Sequence, residues 1–321
     1  MSLTAGYQIS KCKDMEVWND FVSNSPQCSI FCKTNFIDTY GQNYDLLLVT
    51  KGELILLGVV IIKNNREGLA RGLFTYQGVL FSKYIESLQP HKKNKKKLEL
   101  TQFLLTELEF IYGVVTLSLH HSLIDLRGFQ WHNYHNADGF HPKLHLRYTG
   151  ILDLTQIKTF EQVLVNSRAV RRQEYKRCLK NGFTVEESND IDTLDLLHRK
   201  TFERQNLIRS KSEVFIATKF AKESIDNGFG RLLICKNSEG KSVSASLFLF
   251  DHRTGYYLVG ASDPDYRKNG VGSYVVFEQI RRCINQHLSF VDFMGINSPS
   301  RGDFKTSFNA NPTAYFTYKT E

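Results

Sequence analysis

One order of elements occurs twice along this chain, and it constrains the fold more than any short motif does. In the second half, Asn181-Gly182 suits the left-handed stop of a helix, and Phe183–Glu187 then reads as a short strand. Asp192 opens an amphipathic helix with Leu194, Leu197, Thr201 and Phe202 near helical spacing. A second helix over Ser212–Asp226 carries Phe215, Ile216, Phe220 and Ile225 on one side. Three strands follow, Arg231–Lys236, Ser242–Phe250 and Gly255–Ala261, separated by Gly-rich polar turns that suit hairpins. A helix from Gly272 to His287, a strand Ser289–Met294, a Gly/Ser/Pro loop and a last strand near Ala314–Lys319 complete the half.

The first half gives nearly the same order: a strand Tyr7–Ile9, helices Met15–Val22 and Asn35–Gly41, and strands Asp45–Val49 and Leu54–Ile62. An extended segment Phe74–Leu80, a helix Leu98–Tyr112 with Leu100, Leu104, Leu108 and Ile111 on one face, and a strand Val114–Leu119 follow. The match lies in element order, with little residue identity. It predicts a domain duplication with its seam near Arg147–Thr155, giving domains 1–148 and 149–321.

Composition agrees with two folded domains. The 321 residues are 41% hydrophobic and 23% charged, which excludes disordered and low-complexity classes. The longest apolar run, Leu54–Ile62, is far short of the roughly 20 residues that span a bilayer, so no transmembrane segment is expected. Met1–Trp18 has no apolar core after a basic start, so no secretory signal is visible. Six cysteines without zinc or thioredoxin spacing complete the expectation of a reduced, cytoplasmic protein. The net charge of +8 suits an acidic ligand: a nucleotide-bearing substrate, a phosphorylated cofactor or tRNA. Charge does not choose among them, and nothing points to DNA.

The sharpest local signal is Arg267-Lys268-Asn269-Gly270-Val271-Gly272, between a strand and a helix. Small residues at 270 and 272 let the backbone approach an anion, and amides at the start of the helix favour negative charge. The same glycines also fit a structural turn, and the spacing alone leaves both readings open. Its place after three hairpin strands favours the anion-binding one.

Other features resemble a known family. Arg168-x-x-Arg171-Arg172 with Lys180-Asn181-Gly182, Thr201-Phe202-Glu203-Arg204, Tyr256–Ser262, Asp292-Phe293-Met294-Gly295 and Phe304-Lys305-x-x-Phe308 resemble the Fem-type, peptidyltransferase-like branch of the GNAT acyltransferase superfamily. The first half matches more loosely, through Trp18-x-x-Phe21-Val22, Ser29-Ile30-Phe31 and Tyr76-Gln77-Gly78-Val79. The resemblance implies an α/β (α+β) fold of two tandem GNAT-like domains, each a mixed, mostly antiparallel sheet flanked by helices. It implies an N-acyltransferase that moves an acyl group to an amine on an anionic acceptor, such as a nucleotide-linked amino sugar or a cell-envelope or polysaccharide precursor. Family members use acetyl-CoA or another acyl-CoA, or aminoacyl-tRNA to extend peptidoglycan precursors; non-catalytic binding of nucleotide sugar or RNA is a further alternative. The intact Arg267–Gly272 loop and the absence of a candidate helical arm between Leu179 and Leu207 favour acyl-CoA, with Arg267, Lys268, Asn269, Gly270, Val271 and Gly272 holding its diphosphate. By the same resemblance Lys305, Tyr257 and Arg204 form the reaction centre, and Tyr76, Gly78 and Phe304 contact the acceptor.

The first copy has no glycine pair at its strand–helix junction. Leu80–Lys97 is long and polar there and ends in His91-Lys92-Lys93-Asn94-Lys95-Lys96-Lys97. One donor site, in the second half, is therefore expected, with the first half shaping the acceptor pocket. The lysine run and the stripe Arg168, Arg172 and Lys176 are either solvated faces or phosphate contacts. An ammonium at Lys305 suits the oxyanion that develops when an amine attacks an acyl carbonyl. Asp263 and Glu278 are open as general bases, as is proton loss to water. His120, His121, His132, His135, His141 and His145 match no metal-ligand spacing, so no metal is expected. Cys28 and Cys32 read as half-buried thiols, and Arg301-Gly302-Asp303 as a turn.

Overall fold

The computed structural model describes residues 6–41, 43–64, 75–136 and 138–320. It divides into two compact units with the boundary between Arg147 and Tyr148. The C-terminus departs from the expected division, because the segment from Ala314 onward belongs to the first unit. Thr317–Lys319 pairs antiparallel with Thr116–Ser118, and Phe316 and Tyr318 pack into the first core.

In the first unit, four strands lie in the order Gln8–Lys11, Asn43–Lys51, Leu54–Asn64 and Gly78–Phe81. Alternate side chains of the middle strands, Leu47, Val49, Leu57, Val59 and Ile61, enter one core. Leu100, Leu104 and Leu108 meet them from the long helix, at the four-residue spacing that puts them on one face. Phe74 falls outside the described residues. The helix runs Pro90–Tyr112, a full two turns earlier than expected, so the lysine run is helical and not a loop. Proline at the first helical position supplies the preset φ for that start. Lys93 and Lys97 reach Glu86 at 3.5 and 2.5 Å, and Lys96 reaches Glu99 at 3.0 Å. Internal carboxylates thus neutralise much of the run, and no anionic partner is needed to account for it. Cys28 and Cys32 are fully buried thiols, not half-buried ones.

The second unit is built on six strands in the order 148–153, Phe290–Gly295, Thr254–Ser262, Ser242–Phe250, Gly230–Lys236 and Thr184–Glu187. Every neighbouring pair is antiparallel except Thr254–Ser262 with Phe290–Gly295, which is parallel. Helix Val271–Asn285 makes that parallel connection and buries Val271, Val275, Val276, Phe277 and Ile280 in the core. Helix Ile191–Glu203 begins at Asp190, whose carboxylate accepts the Thr193 amide at 2.9 Å, and packs Leu194 and Leu197 on the opposite face. The expected loop after residue 295 contains a helix, Pro299–Thr306, so Arg301-Gly302-Asp303 is helical and not a turn. Among the described residues, no helix is long and apolar enough to cross a membrane.

Candidate active site

The two parallel strands of the second unit part company. Thr254, Gly255 and Tyr256 pair with Phe290, Val291 and Asp292, and the parallel ladder ends there among the described residues. Beyond this point Thr254–Ser262 stays with its hairpin partner as far as Ser262↔Ser244, while Phe290–Gly295 follows the strand on its other side. A wedge therefore opens from Tyr257 on one strand and Phe293 on the other. On the first strand Tyr257 pairs with Phe248 and Val259 with Leu247, which leaves Leu258 as an extra, bulged residue. A bulge takes backbone groups off the ladder and resets the side-chain alternation. Both effects occur at the mouth of the wedge, where an unladdered amide suits a carbonyl oxygen that gains negative charge.

The reset alternation brings Tyr257 and Gly260 together. A Cβ at Gly260 would overlap the Tyr257 hydroxyl and lie 2.7 Å from its Cζ, so glycine is what lets the phenol lie along the strand. The ring packs edge-on to Phe293 at 6.0 Å and against Phe248 at 5.3 Å. Burial pushes the Tyr257 phenol up to about 12, so it stays protonated at neutral pH. The second strand ends in a second irregularity, between Asp292 and Gly295, with Met294 at φ 56° and its amide on the Asp292 carboxylate at 2.6 Å. Thr149 donates to the same carboxylate.

Lys305 reaches this wedge from helix Pro299–Thr306. Its Nζ donates to the Gly295 carbonyl at 3.0 Å and stands 5.4 Å from the Tyr257 ring centroid. Burial lowers its pKa to about 8, with Asp292 opposing the shift and Arg301 adding to it. The helix approaches closely because Gly302 faces the Ile296 carbonyl, 2.7 Å from where a Cβ would stand. The structure thus brings Lys305 and Tyr257 together beside a bulged strand.

The glycine loop is folded differently from an open anion cradle. Asp263 caps a 3-10 turn over Pro264–Asn269, Gly270 follows at φ 85°, and helix Val271–Asn285 begins. Helix Ala169–Lys180 lies against this turn: Arg177 donates to the Lys268 carbonyl at 2.6 Å and Cys178 to that of Asn269 at 3.4 Å. A Cβ on Gly270 would overlap Cβ and Cγ of Glu174. The Glu174 carboxylate accepts from Ser273 at 2.6 Å and pairs with Arg171 at 2.9 Å. A carboxylate of the chain's own therefore occupies the first turn of the helix, where the dipole favours an anion. Arg267 and Lys268 are exposed, and Gly270 is buried.

The remaining predicted residues are dispersed. Arg204 is exposed at the end of helix Ile191–Glu203, and among the described residues no hydrogen bond or ring contact joins it to Lys305 or Tyr257. Phe304 packs on Phe308 at 5.1 Å beneath the Arg171 guanidinium at 5.2 Å, which makes it a core contact. In the first unit Tyr76 is 1% exposed among Phe31, His120, His121 and Tyr315, and Gly78 is buried at φ 105°. Both candidate bases are committed elsewhere. Burial alone would raise Asp263, but Lys200 at 2.8 Å and the Asp265 amide hold it below the usual carboxylate range. Glu278 accepts from Tyr175 at 3.1 Å and meets Arg281 and Arg282 at 3.4 and 3.5 Å. Of the basic stripe, Arg168 forms a forked pair with Asp303 and Arg172 donates to the Ser167 carbonyl at 3.0 Å, while Lys176 is exposed.

Sequence reasoning missed Glu174, Gly260 and the bulge at Leu258. The one available signal was Gly260 within the Tyr256–Ser262 strand, since glycine in a strand interior marks a bulge or a close approach.

Residues 166–306 match the family model described as an acetyltransferase (GNAT) domain. A search of curated proteins gave no match. Among solved structures the chain is similar to FemX, at 13% identity, 96% coverage of each chain and TM-score 0.71. It is also similar to a tandem GNAT protein from the clavulanic acid biosynthesis pathway, at 10% identity, 98% coverage of each chain and TM-score 0.54. A third likeness is to L-PGS from Bacillus licheniformis, at 11% identity, 97% coverage of this chain, 93% of that one and TM-score 0.54. At these identities the structural likeness concerns the fold.

Proposed function

We propose that this chain, whose residues 166–306 match a GNAT acetyltransferase domain and whose fold is similar to FemX and to a tandem GNAT protein, is an acyltransferase that moves an aminoacyl group from an ester donor of the kind carried on tRNA to the amine of an anionic acceptor. The observation that carries the choice of donor is Glu174 seated on Gly270 and hydrogen-bonded to Ser273. A diphosphate in that loop would meet the Glu174 carboxylate beside Gly270 and Ser273, in the first turn of the helix, and like charges at close range repel. An ester donor requires no diphosphate there. Only its acyl carbonyl has to enter the wedge.

In the transfer the acceptor amine attacks the acyl carbon and a C–N bond forms. The carbonyl oxygen becomes an oxyanion, which the bulged strand's backbone amide and the Lys305 ammonium stabilise. The C–O bond of the ester then breaks, and the departing hydroxyl takes up the proton that the amine releases. The products are an amide and a free hydroxyl. Tyr257, protonated throughout, orients reactants beside Lys305. The acceptor we favour is a nucleotide-linked amino sugar or cell-envelope precursor, in keeping with the net charge of +8.

Acyl-CoA is the second reading, favoured by the exposed Arg267 and Lys268 beside a left-handed Gly270. Radiolabelled amino acids on total tRNA, incubated with the full chain and nucleotide-linked amino sugars, separate the two. Product lost on ribonuclease treatment and with Lys305→Ala supports the aminoacyl ester. Product formed instead from acetyl-CoA, indifferent to ribonuclease, overturns it in favour of the thioester.

A further inference from the structure

Helix Pro299–Thr306 carries two cations four residues apart, Arg301 and Lys305, and side chains at that spacing share a face. Lys305 fixes which face this is: its Nζ lies on the Gly295 carbonyl and over the Tyr257 ring, at the mouth of the wedge. Gly302, against the Ile296 backbone, holds this part of the helix close to the strand end, and Asp303 on the far side is tied down in its forked pair with Arg168. Arg301 is exposed, and among the described residues its guanidinium makes no hydrogen bond or ion pair. Asp303, the acid closest to it in sequence, is already engaged.

Two like charges at this spacing destabilise a helix slightly, and partial burial of one makes the pairing worse. Such an arrangement is relieved when an anion lies across both. A guanidinium fork suits the two oxygens of a carboxylate or phosphate. We propose that Arg301 and Lys305 form a subsite for an oxyanion group carried by a reactant, at the edge of the acyl-transfer centre. This rests on the reading that transfer takes place in the wedge, though not on which donor is used.

The subsite also links binding to chemistry. Arg301, a like charge one turn away on the same helix, adds to burial in lowering the proton affinity of Lys305. The charged and titratable groups facing Lys305 are Asp292 and Tyr257 on the two parted strands and Arg301 on its own helix. An anion on Arg301 cancels a repulsion and raises the proton affinity of Lys305. The ammonium is then held most firmly when a reactant is in place.

The test needs no substrate. Full-length protein with carbon-13 at lysine Cε is titrated with base by NMR, and the resonance of Lys305 is assigned through Lys305→Arg. Arg301→Met is expected to raise the Lys305 midpoint by about half a unit or more, whereas Arg301→Lys leaves it near the wild-type value. Inorganic phosphate or acetate is expected to raise the wild-type midpoint and to leave that of Arg301→Met unchanged. Response to phosphate alone assigns a phosphate-bearing reactant, and response to acetate alone a carboxylate. A midpoint indifferent to Arg301→Met, or indifferent to both anions, overturns the subsite while leaving the acyl-transfer reading untouched. Absence of transfer activity in the wild-type protein, with the midpoint behaviour intact, would count against that reading and not against the subsite.

Discussion

Gly270 lies directly against the side chain of Glu174, which comes from a helix almost a hundred residues earlier in the chain and passes over the turn that precedes helix Val271–Asn285. The glycine has two reasons to be there, a φ of 85° and the absence of room for a Cβ. Gly270→Ala is expected to destabilise the protein by about 2–4 kcal/mol, from left-handed backbone strain together with overpacking. Urea denaturation checks it. A loss below about 0.5 kcal/mol would mean that helix Ala169–Lys180 is not held against the turn.

Lys305 is placed to stabilise an oxyanion, and only its protonated form does so. Lys305→Met is expected to lower kcat by roughly 100- to 1,000-fold, the usual cost of removing one oxyanion donor. With a midpoint near 8, the wild-type rate is expected to fall as pH rises through that value. A rate that climbs through pH 8 would make the neutral amine the active form, and Lys305 a base.

Gly260 gives Tyr257 the space to lie along its strand. Gly260→Val is expected to displace the phenol and to reduce kcat by about tenfold or more, since small misplacements near a reaction centre are costly. Circular dichroism should be unchanged, because Gly260 is exposed. Full activity in this variant would remove Tyr257 from the reaction centre.

Asp263 is buried beside the loop, with Lys200 at 2.8 Å and Lys241 at 3.8 Å. Lys200→Met strands this carboxylate and is expected to cost about 1–3 kcal/mol at neutral pH. Because the folded Asp263 holds its charge below the ordinary carboxylate pKa of 3.8, its contribution is fully present above that pH and is lost as pH falls through the folded value. The stability gap between wild type and variant should therefore be constant from pH 7 to pH 5 and close under stronger acid. A gap that widens in acid would contradict the assignment.

Most elements of both halves were legible in the sequence because their signals are local, whereas the lysine-rich start of helix Pro90–Tyr112 and the short polar helix Pro299–Thr306 carry no apolar periodicity and read as loops. The periodicity of Leu100, Leu104 and Leu108 and the turns between the hairpin strands depend on near neighbours alone. The site was legible only in part. Lys305 and Tyr257 came from the family resemblance, and the structure sets them 5.4 Å apart. The bulge at Leu258 and the parting of the two parallel strands are relations between strands, and no single strand's pattern encodes them. The loop at Arg267–Gly272 shows the limit most clearly. Its glycines announce a close approach of something to the backbone, and only tertiary packing reveals that the approaching group is Glu174.

The donor is the center of the account, and calorimetric titration with CoA tests it most directly, on wild type and Glu174→Ala side by side. The expected result is no measurable binding to wild type, with weak binding appearing once the carboxylate is removed and Ser273 and Arg171 are freed. Micromolar binding to wild type, undiminished or weakened in Glu174→Ala, would contradict the account and return acyl-CoA as the donor.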